Sequence, residues 1–130
     1  MASVRALIVD RGRILLLQRA AATTRAGQWC LPGGRIQSQE TAEAAVVRET
    51  CEEAGVKIRV LQSLRRFGSC EYFLCELSPD KQTIRLQPKE CQAWAWVEAG
   101  AIEKVGMIMD YRQLKRILAD PIAPSFDPHD

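Results

Sequence analysis

The sequence predicts a mixed α/β domain, and three observations support this fold class. Several runs rich in Val, Ile and Leu are separated by turn residues, which is typical of strands. Two other segments carry apolar side chains at helical spacing. A chain of 130 residues has the length of one domain and can bury a core without disulfide bonds. Strands around two helices therefore predict a single α/β domain at 1–120.

The first half of the chain contains a hairpin, a loop and the clearest helix. Residues 10–12 (Asp-Arg-Gly) separate two apolar runs and are typical of a hairpin turn. Residues 31–34 (Leu-Pro-Gly-Gly) predict a turn that needs unusual backbone angles. The expected elements are strands at 3–9 and 13–18, a loop at 20–30, and a helix at 41–54 with Thr41 as its N-cap and Gly55 at its end.

The second half of the chain adds strands and a shorter helix. The expected strands cover 57–64, 70–77, 83–86 and 93–97. Apolar side chains that share one helical face predict a helix at 110–118, with Asp110 as its cap. Pro121 ends this helix, and the proline-containing tail at 121–130 is expected to be loosely ordered.

The cysteines and the histidine exclude several kinds of site. The five cysteines are odd in number and include no Cys-x-x-Cys pair, which argues against a disulfide framework and a zinc knuckle. Buried, reduced thiols are expected instead. His129, the only histidine, lies next to the last residue, so neither a histidine-based triad nor a histidine-ligated metal is expected.

Charged residues interrupt the apolar N-terminal region and limit the partners that are expected. Arg5, Asp10, Arg11 and Arg13 leave no apolar run long enough for a signal segment or a membrane span. A cytoplasmic protein without a membrane partner is therefore expected. The formal net charge is only +2 and there is no long basic extension, so a nucleic-acid partner is not expected.

Acidic side chains crowd the first predicted helix. Positions 40 to 53 carry one base, Arg48, against Glu40, Glu43, Glu49, Glu52 and Glu53. At about 100° per residue, Glu49, Glu52 and Glu53 share one narrow face of the helix. The opposite face is small and apolar and is expected to pack on the sheet; it carries Ala44, Val47, Cys51 and Ala54.

The acidic face predicts a metal site. Like charges within one helical turn repel one another and raise each other's pKa values. A divalent cation relieves this repulsion, and ligands that are all oxygen favour Mg²⁺ or Mn²⁺ over zinc or copper. Gly33 and Gly34 leave bare backbone that a ligand can approach closely. An exposed acidic helix and an ordinary glycine turn are the alternatives, and the combined spacing favours the metal site.

The spacing of these residues resembles a complete Nudix box. Gly34, Glu40, Arg48-Glu49, Glu52-Glu53 and Gly55-Val56 stand at specified positions, and only Thr50 replaces an expected apolar residue. Residues 29–33 and the strands after the box also fit the layout of that family. The resemblance implies an α/β/α sandwich with a mixed sheet. It also implies hydrolysis of a nucleoside diphosphate linked to another moiety, in which water attacks a pyrophosphate phosphorus.

The resemblance implies the metal ligands and the base. Glu52 and Glu53 would hold Mg²⁺, with Mn²⁺ as a substitute, and the Gly34 carbonyl would be an additional ligand. Glu49 would be either a ligand or the base that activates water. Small members of the family often place another metal-binding or basic glutamate in the loop that carries Glu90, and a solvated loop acid is the alternative there.

The resemblance also implies supporting and substrate-binding residues. Arg48 would orient the glutamates through a salt bridge, with Glu40 as its partner at the helix end. Arg19 is similar to an arginine that reaches substrate phosphate in MutT-like members, and a surface arginine is the alternative. Three aromatic residues are candidates for stacking on a base, with core packing as the alternative for each: Tyr72, Trp29 and Trp94.

The substrate class depends on residues around the box. Residues 32–34 (Pro-Gly-Gly) resemble MutT-like members that cleave nucleoside triphosphates, whereas dinucleoside polyphosphate hydrolases usually have Pro-Lys-Gly there. Tyr72 resembles the tyrosine of the dinucleoside polyphosphate group. A nucleoside triphosphate is expected first, a dinucleoside polyphosphate second, and ADP-ribose or a nucleotide sugar third. The remaining alternatives are a non-catalytic nucleotide-binding module and an RNA-end hydrolase; many small Nudix proteins form homodimers.

Overall fold

The structure is a computed structural model that describes residues 2–120. Its strands are β1 (Ser3–Asp10), β2 (Arg13–Arg19), β3 (Trp29–Cys30), β4 (Gly33–Arg35), β5 (Ile58–Phe67), β6 (Cys70–Leu77) and β7 (Cys91–Glu98). Its helices are α1 (Ala42–Ala54), a 3₁₀ helix (Ala99–Val105) and α2 (Tyr111–Leu118). The predicted α/β fold class is confirmed. The tail predicted at 121–130 lies outside the described residues.

β1 lies at the centre of the sheet. It pairs in parallel with β6, antiparallel with β4 and, at its C-terminal end, antiparallel with β2. The strand order is β3-β2-β1-β6-β5, with β4 also paired to β1 and β7 also paired to β2. A parallel pair needs a long crossover connection, and the connection from β1 to β6 contains α1. The sheet is therefore mixed, as expected.

The sheet separates two apolar layers. Side chains alternate along β1, so Val4, Ala6 and Ile8 enter the layer beneath α1, while Leu7 enters the layer on the other side. The helices complete the two layers with Ala45, Val46 and Ala54 from α1 on one side and Ile102, Leu114 and Ile117 on the other. This arrangement is the expected α/β/α sandwich.

The packing face of α1 differs from the predicted one. Its buried side chains are Ala45, Val46, Thr50, Glu53 and Ala54. Ala44 and Cys51, which were expected to pack on the sheet, are exposed. The cause is a 2.8 Å hydrogen bond from the Gly33 N–H to Glu53 Oε1, which turns the acidic side of the helix toward the sheet. Ala54 is buried and Val47 packs against the core as predicted, but the separation into a metal face and a packing face is wrong because Glu53 lies on the buried side.

The ends of α1 lie where the sequence predicts them. The Ala44 N–H donates to the Thr41 hydroxyl at 3.1 Å, which caps the first turn. Gly55 ends the helix in the left-handed conformation, with φ 69°. Within α1, Thr50 is fully buried and its hydroxyl has no hydrogen-bond partner in the described part of the chain.

The strand predicted at 83–86 is wrong. This segment runs past the C-terminal end of α1, where the Arg85 N–H donates to the Ala54 carbonyl at 2.8 Å and the Gln87 N–H donates to the Glu53 carbonyl at 3.0 Å. The last carbonyls of a helix have no partner within the helix. The segment forms no strand because its N–H groups pair with these carbonyls and not with another strand.

The loop predicted at 20–30 is shorter than expected, because its last two residues form β3. It is tied to the start of α2 by an ion pair between Arg25 Nη1 and Asp110 Oδ1 at 3.3 Å. Asp110 precedes α2 as predicted, but its side chain makes no capping hydrogen bond, because it faces Arg25. No helix within residues 2–120 is long and apolar enough to span a membrane.

All five cysteines are free, and their exposure tests the orientation of α1. We expect a short pulse of iodoacetamide on the folded protein to modify the exposed Cys51 well before Cys30, Cys75 and Cys91. These three thiols are buried, and burial raises the pKa of Cys75 and Cys91 to about 12. Peptide mass spectrometry measures the order, with the urea-unfolded chain as control. Protection of Cys51 equal to that of Cys75 would contradict the observed helix orientation.

Candidate active site

The contact between β4 and the last turn of α1 depends on a residue without a side chain. The Glu53 carboxylate is 6% exposed and accepts the Gly33 N–H at 2.8 Å. A Cβ at Gly33 would lie 2.1 Å from the Val4 carbonyl oxygen on the neighbouring strand. Gly33 and Gly34 lie in a strand without positive φ, so the predicted turn with unusual angles is wrong. Glycine is needed here because of close approach.

Gly34 leaves the space that Glu49 occupies. A Cβ at Gly34 would lie 2.4 Å from the carboxylate carbon of Glu49 and 2.6 Å from each of its oxygens. The Glu49 carboxylate therefore lies directly against the β4 backbone. The structure thus brings Gly34, Glu49 and Glu53, all predicted site residues, to one junction between strand and helix.

Arg48 is the hub of the acidic cluster. Its Nε and Nη2 donate to the two carboxylate oxygens of Glu40 at 2.7 and 2.9 Å. Its Nη1 donates to Glu49 at 3.0 Å and to Glu52 at 3.3 Å. Nη2 also donates to the Arg35 carbonyl at 3.1 Å, which joins the guanidinium to β4. One planar group therefore holds three glutamates and a strand in fixed relation.

The carboxylates of the cluster have opposite pKa shifts. Hydrogen bonds from Arg48 and the Gln37 N–H lower the pKa of Glu40 to about 2. Burial raises the pKa of Glu53 to about 8, although the Gly33 N–H and the charge of Arg5 oppose it. Burial also raises the pKa of Glu49, against its hydrogen bond with Arg48. Glu40 is thus a stabilised anion. Glu53 and Glu49 have too little positive charge nearby to offset the effect of burial on their ionised forms.

The donor chemistry of this junction fits a hard divalent cation. The available groups are carboxylate oxygens and a backbone carbonyl, the ligands that Mg²⁺ prefers. Glu53 is a buried carboxylate whose ionised form a cation would stabilise. Among residues 2–120, no three acidic, cysteine or histidine side chains converge closely enough to enclose a metal. Glu52 is 53% exposed beside Arg48, while Glu53 lies inward, so the side chains differ in direction.

Glu90 and Arg19 lie beside the junction at the β2 and β7 ends. The negative charge of Glu90 raises the pKa of both Glu49 and Glu53, which places its exposed carboxylate near them. Its carbonyl accepts the Ala20 N–H at 2.9 Å. Arg19 Nε donates to the Thr24 carbonyl at 2.6 Å and its Nη2 to the Thr24 hydroxyl at 3.2 Å. Its guanidinium therefore holds the 20–28 loop in this conformation.

The three aromatic candidates have different environments. Tyr72 is 2% exposed, meets Phe67 edge-on at 5.7 Å, and donates its hydroxyl to Gln113 at 2.9 Å. A ring enclosed in this way exposes little surface to a base, so its environment favours core packing, the alternative for Tyr72. Trp29 is half-buried and packs at 3.6 Å from the Cβ position of Gly106. Trp94 is 48% exposed on β7, and its stacking role stays a prediction.

Arg5 is a site residue that the sequence reasoning did not single out. It lies on β1 opposite Gly33, and its charge lowers the pKa of Glu53. Its Nη1 donates to the Leu31 carbonyl at 3.2 Å. The signal in the sequence was an arginine within the apolar run of β1. A charged side chain in such a run is half-buried here, and buried charges usually have a specific partner.

Comparisons with known proteins agree with the fold. The model of the NUDIX domain family matches residues 1–117. A CTP pyrophosphohydrolase of Escherichia coli is 43% identical over 61 residues, which cover 46% of this chain and 45% of that protein. An 8-oxo-dGTP diphosphatase of the same species is 29% identical over 123 residues, which cover 92% of this chain and 84% of that protein.

A solved structure shows the same architecture along nearly the whole chain. The crystal structure of a MutT NUDIX hydrolase from Burkholderia pseudomallei superposes with a TM-score of 0.73 at 25% identity, covering 91% of this chain and 97% of that one. By contrast, the matches span less than half the length of the first curated relatives.

Alanine substitutions at three glycines should differ in their free energy of unfolding according to the atoms that lie near the new Cβ. Gly33→Ala should lower the free energy of unfolding by about 1–3 kcal/mol, because rigid backbone is in the way. Gly34→Ala should cost less, because the Glu49 side chain can move aside. Gly100→Ala is the control, since nothing lies within 4 Å of its Cβ position. Urea denaturation measures all three, and equal midpoints for Gly33→Ala and Gly100→Ala would contradict the close approach.

The low pKa of Glu40 predicts a stability contribution that depends on pH. Because the folded pKa of about 2 lies below the ordinary value of 4.5, the ionised carboxylate stabilises the fold above pH 4.5. That contribution is lost as the pH falls through 2. We expect Glu40→Gln to lower the melting temperature at neutral pH, and the difference from the parent to vanish toward pH 2. Glu43→Gln, an exposed acid on the same helix, is the control; a pH-independent difference for Glu40→Gln would contradict the assignment.

Proposed function

Because the chain belongs to the NUDIX domain family, we propose that it is a metal-dependent pyrophosphohydrolase of small nucleotides. The observation that carries this proposal is the Arg48 hub, which holds Glu49 and Glu52 beside the bare backbone of β4 while Glu53 is buried against it. One arginine among four carboxylates leaves a net repulsion, which a divalent cation would relieve. Such an arrangement would destabilise a surface helix that binds no ligand.

The reaction is hydrolysis of a phosphoanhydride. A water oxygen forms a bond to one phosphorus of the pyrophosphate, the bond from that phosphorus to the bridging oxygen breaks, and the water proton passes to a carboxylate. Glu52, Glu53 and the Gly34 carbonyl would hold Mg²⁺ or Mn²⁺, and Glu49 and Glu90 would be further ligands or the base. A divalent cation bound there supplies positive charge that stabilises the attacking and leaving oxygens.

The protein's own residues prepare this site in two ways. Arg48 fixes the directions of Glu40, Glu49 and Glu52, and it is a positioning residue because it contacts the glutamates and not the reacting atoms. The Gly33 N–H holds Glu53 at the sheet. Preorganised charged groups of this kind lower the cost of reorganisation during reaction.

A nucleoside triphosphate is the proposed substrate. The dinucleoside polyphosphate group usually has lysine at the position of Gly33, and here a Cβ would collide with the Val4 carbonyl at 2.1 Å. The tyrosine that resembles that group, Tyr72, is buried. The relatives described above include a CTP pyrophosphohydrolase and an 8-oxo-dGTP diphosphatase. The products would be a nucleoside monophosphate and pyrophosphate.

A substrate panel tests the proposal. The pure protein is incubated with Mg²⁺ or Mn²⁺ and with nucleoside triphosphates, diadenosine tetraphosphate, ADP-ribose or a nucleotide sugar. Chromatography identifies the products, and isotope-labelled water identifies the attacked phosphorus. We expect the highest kcat/KM for a triphosphate. Turnover of no compound would overturn the enzyme proposal, and a preference for diadenosine tetraphosphate would overturn the substrate assignment.

Variants of the same protein complete this test. Glu53→Gln keeps an oxygen that can accept the Gly33 N–H but loses the charge, so activity at limiting Mg²⁺ should fall more than about 100-fold with the fold intact. Glu43→Gln, which is exposed, should leave the rate unchanged. Glu90→Gln should slow the reaction less than Glu53→Gln. Near-normal rates for Glu53→Gln would contradict its role, and unchanged kinetics for Glu90→Gln would make it a solvated acid.

A further inference from the structure

A second charged surface lies where α2 packs against the end of β5. Its members are cations from two segments far apart in sequence, and we call them the hairpin–helix patch: Arg65, Arg112, Lys115 and Arg116. Arg112, Lys115 and Arg116 are exposed, and Arg65 is half-buried. Only the tertiary contact between α2 and β5 brings the two groups together.

One phenyl ring holds cations from both elements. The guanidinium carbon of Arg65 lies 5.2 Å from the centroid of Phe67, and that of Arg116 lies 5.7 Å from the same centroid. Tyr72 supports the Phe67 ring edge-on from the core. Cation–π contacts restrain the otherwise mobile arginine side chains. Two like charges from different elements are therefore held at one ring.

The patch carries an excess of positive charge. Within residues 2–120, Arg65, Arg112, Lys115 and Arg116 form no ion pair, while the neighbouring Arg66 pairs with Glu71 on the other face of the sheet at 3.1 Å. The nearest acids along the chain are Asp110, which pairs with Arg25, and Asp120, one helical turn beyond Arg116. Clustered charges of one sign raise the local concentration of an oppositely charged ligand.

The patch is separate from the glutamates of α1. α1 and α2 cover opposite faces of the sheet. Ser3 pairs with Arg35 of β4 and with Cys70 of β6, so both surfaces lie toward the same end of β1. Across the sheet, β4 and β5 are three strand spacings apart, or about 14 Å. An anion on the patch would therefore lie on the face opposite the candidate active site.

We propose that the hairpin–helix patch binds single-stranded nucleic acid through its phosphates. Arginine predominates in the patch, and a guanidinium can donate two parallel hydrogen bonds to one phosphate. The cations of α2 lie within about 100° of one helix face, which presents a row to a chain of repeating phosphates. Among residues 2–120, the exposed large apolar residues are Leu61, Trp94 and Met107, and none belongs to the patch. A protein partner would need such an apolar anchor, whereas a phosphate backbone does not.

The proposal is independent of the pyrophosphohydrolase activity and has a quantitative test. Fluorescence anisotropy with a labelled single-stranded RNA or DNA measures the affinity of the full chain, with EDTA present, over a range of salt concentrations. The logarithm of the affinity should fall linearly with the logarithm of salt, by about 0.7 for each phosphate contact. Arg65→Gln combined with Arg116→Gln should reduce the slope by about 1.4, on the same basis of two lost contacts.

A matched double variant supplies the control. Arg11→Gln with Lys81→Gln removes the same charge at the other end of β1, and it should leave the slope unchanged. The melting temperature of each variant is measured. If the ring-contacting pair does not fold, Arg112→Gln with Lys115→Gln replaces it, because both side chains are exposed.

The outcomes separate the classes of partner. A slope that falls in the patch variants and not in the control supports the proposal. No binding of the oligonucleotide, or binding that both double variants reduce equally, overturns it. Binding of poly-glutamate or phosphatidylserine vesicles as tight as that of the oligonucleotide, with the same dependence on the patch, would assign the patch to an acidic protein or a lipid surface and would also overturn it.

Discussion

The hydrogen bond from the Gly33 N–H to the Glu53 carboxylate determines how α1 lies on the sheet. A carboxylate that leaves water must find a donor, and here the donor is a strand backbone. Its partner must be glycine, because β1 is too close to allow a Cβ. Once Glu53 faces the sheet, helical geometry places Glu49 over Gly34 and turns Cys51 outward. Packing and chemistry therefore share one side of the helix.

The glutamates of the acidic cluster differ in their hydrogen-bond donors and therefore in their pKa values. Glu40 has two hydrogen bonds from Arg48 and is an easily ionised carboxylate. Glu53 has one backbone donor, and burial opposes its ionisation. The positive charge of Arg48 thus compensates the outer acids, whereas the innermost acid, Glu53, has too little positive charge near it. A buried carboxyl group with such a pKa shift is typical of a functional site.

The small net charge of the chain conceals two surfaces of opposite sign. The glutamates of α1 occupy one face of the sandwich, while the cations of α2 and β5 occupy the other. Net charge therefore says little about the partners of this chain. The relevant quantity is how the folded sheet distributes charge between its faces.

The sequence by itself determined the resemblance to the family and the limits of α1. The spacing of Gly34, Arg48 and the glutamates, the cap at Thr41 and the stop at Gly55 are local features, and helical periodicity relates them without knowledge of the rest of the fold. The resemblance also pointed to Glu90 as a candidate site residue, because its loop precedes a strand that the sequence predicts.

The tertiary structure alone decided which way α1 faces, why Gly33 is glycine, and what becomes of residues 83–86 and Tyr72. Each of these depends on atoms from distant segments: the Val4 carbonyl, the free carbonyls at the end of α1, and the side chain of Gln113. The basic patch belongs to the same category, since Arg65 and Arg116 meet only across Phe67. A local pattern carries no information about such neighbours, because contacts between distant segments form only when the sheet and its helices pack.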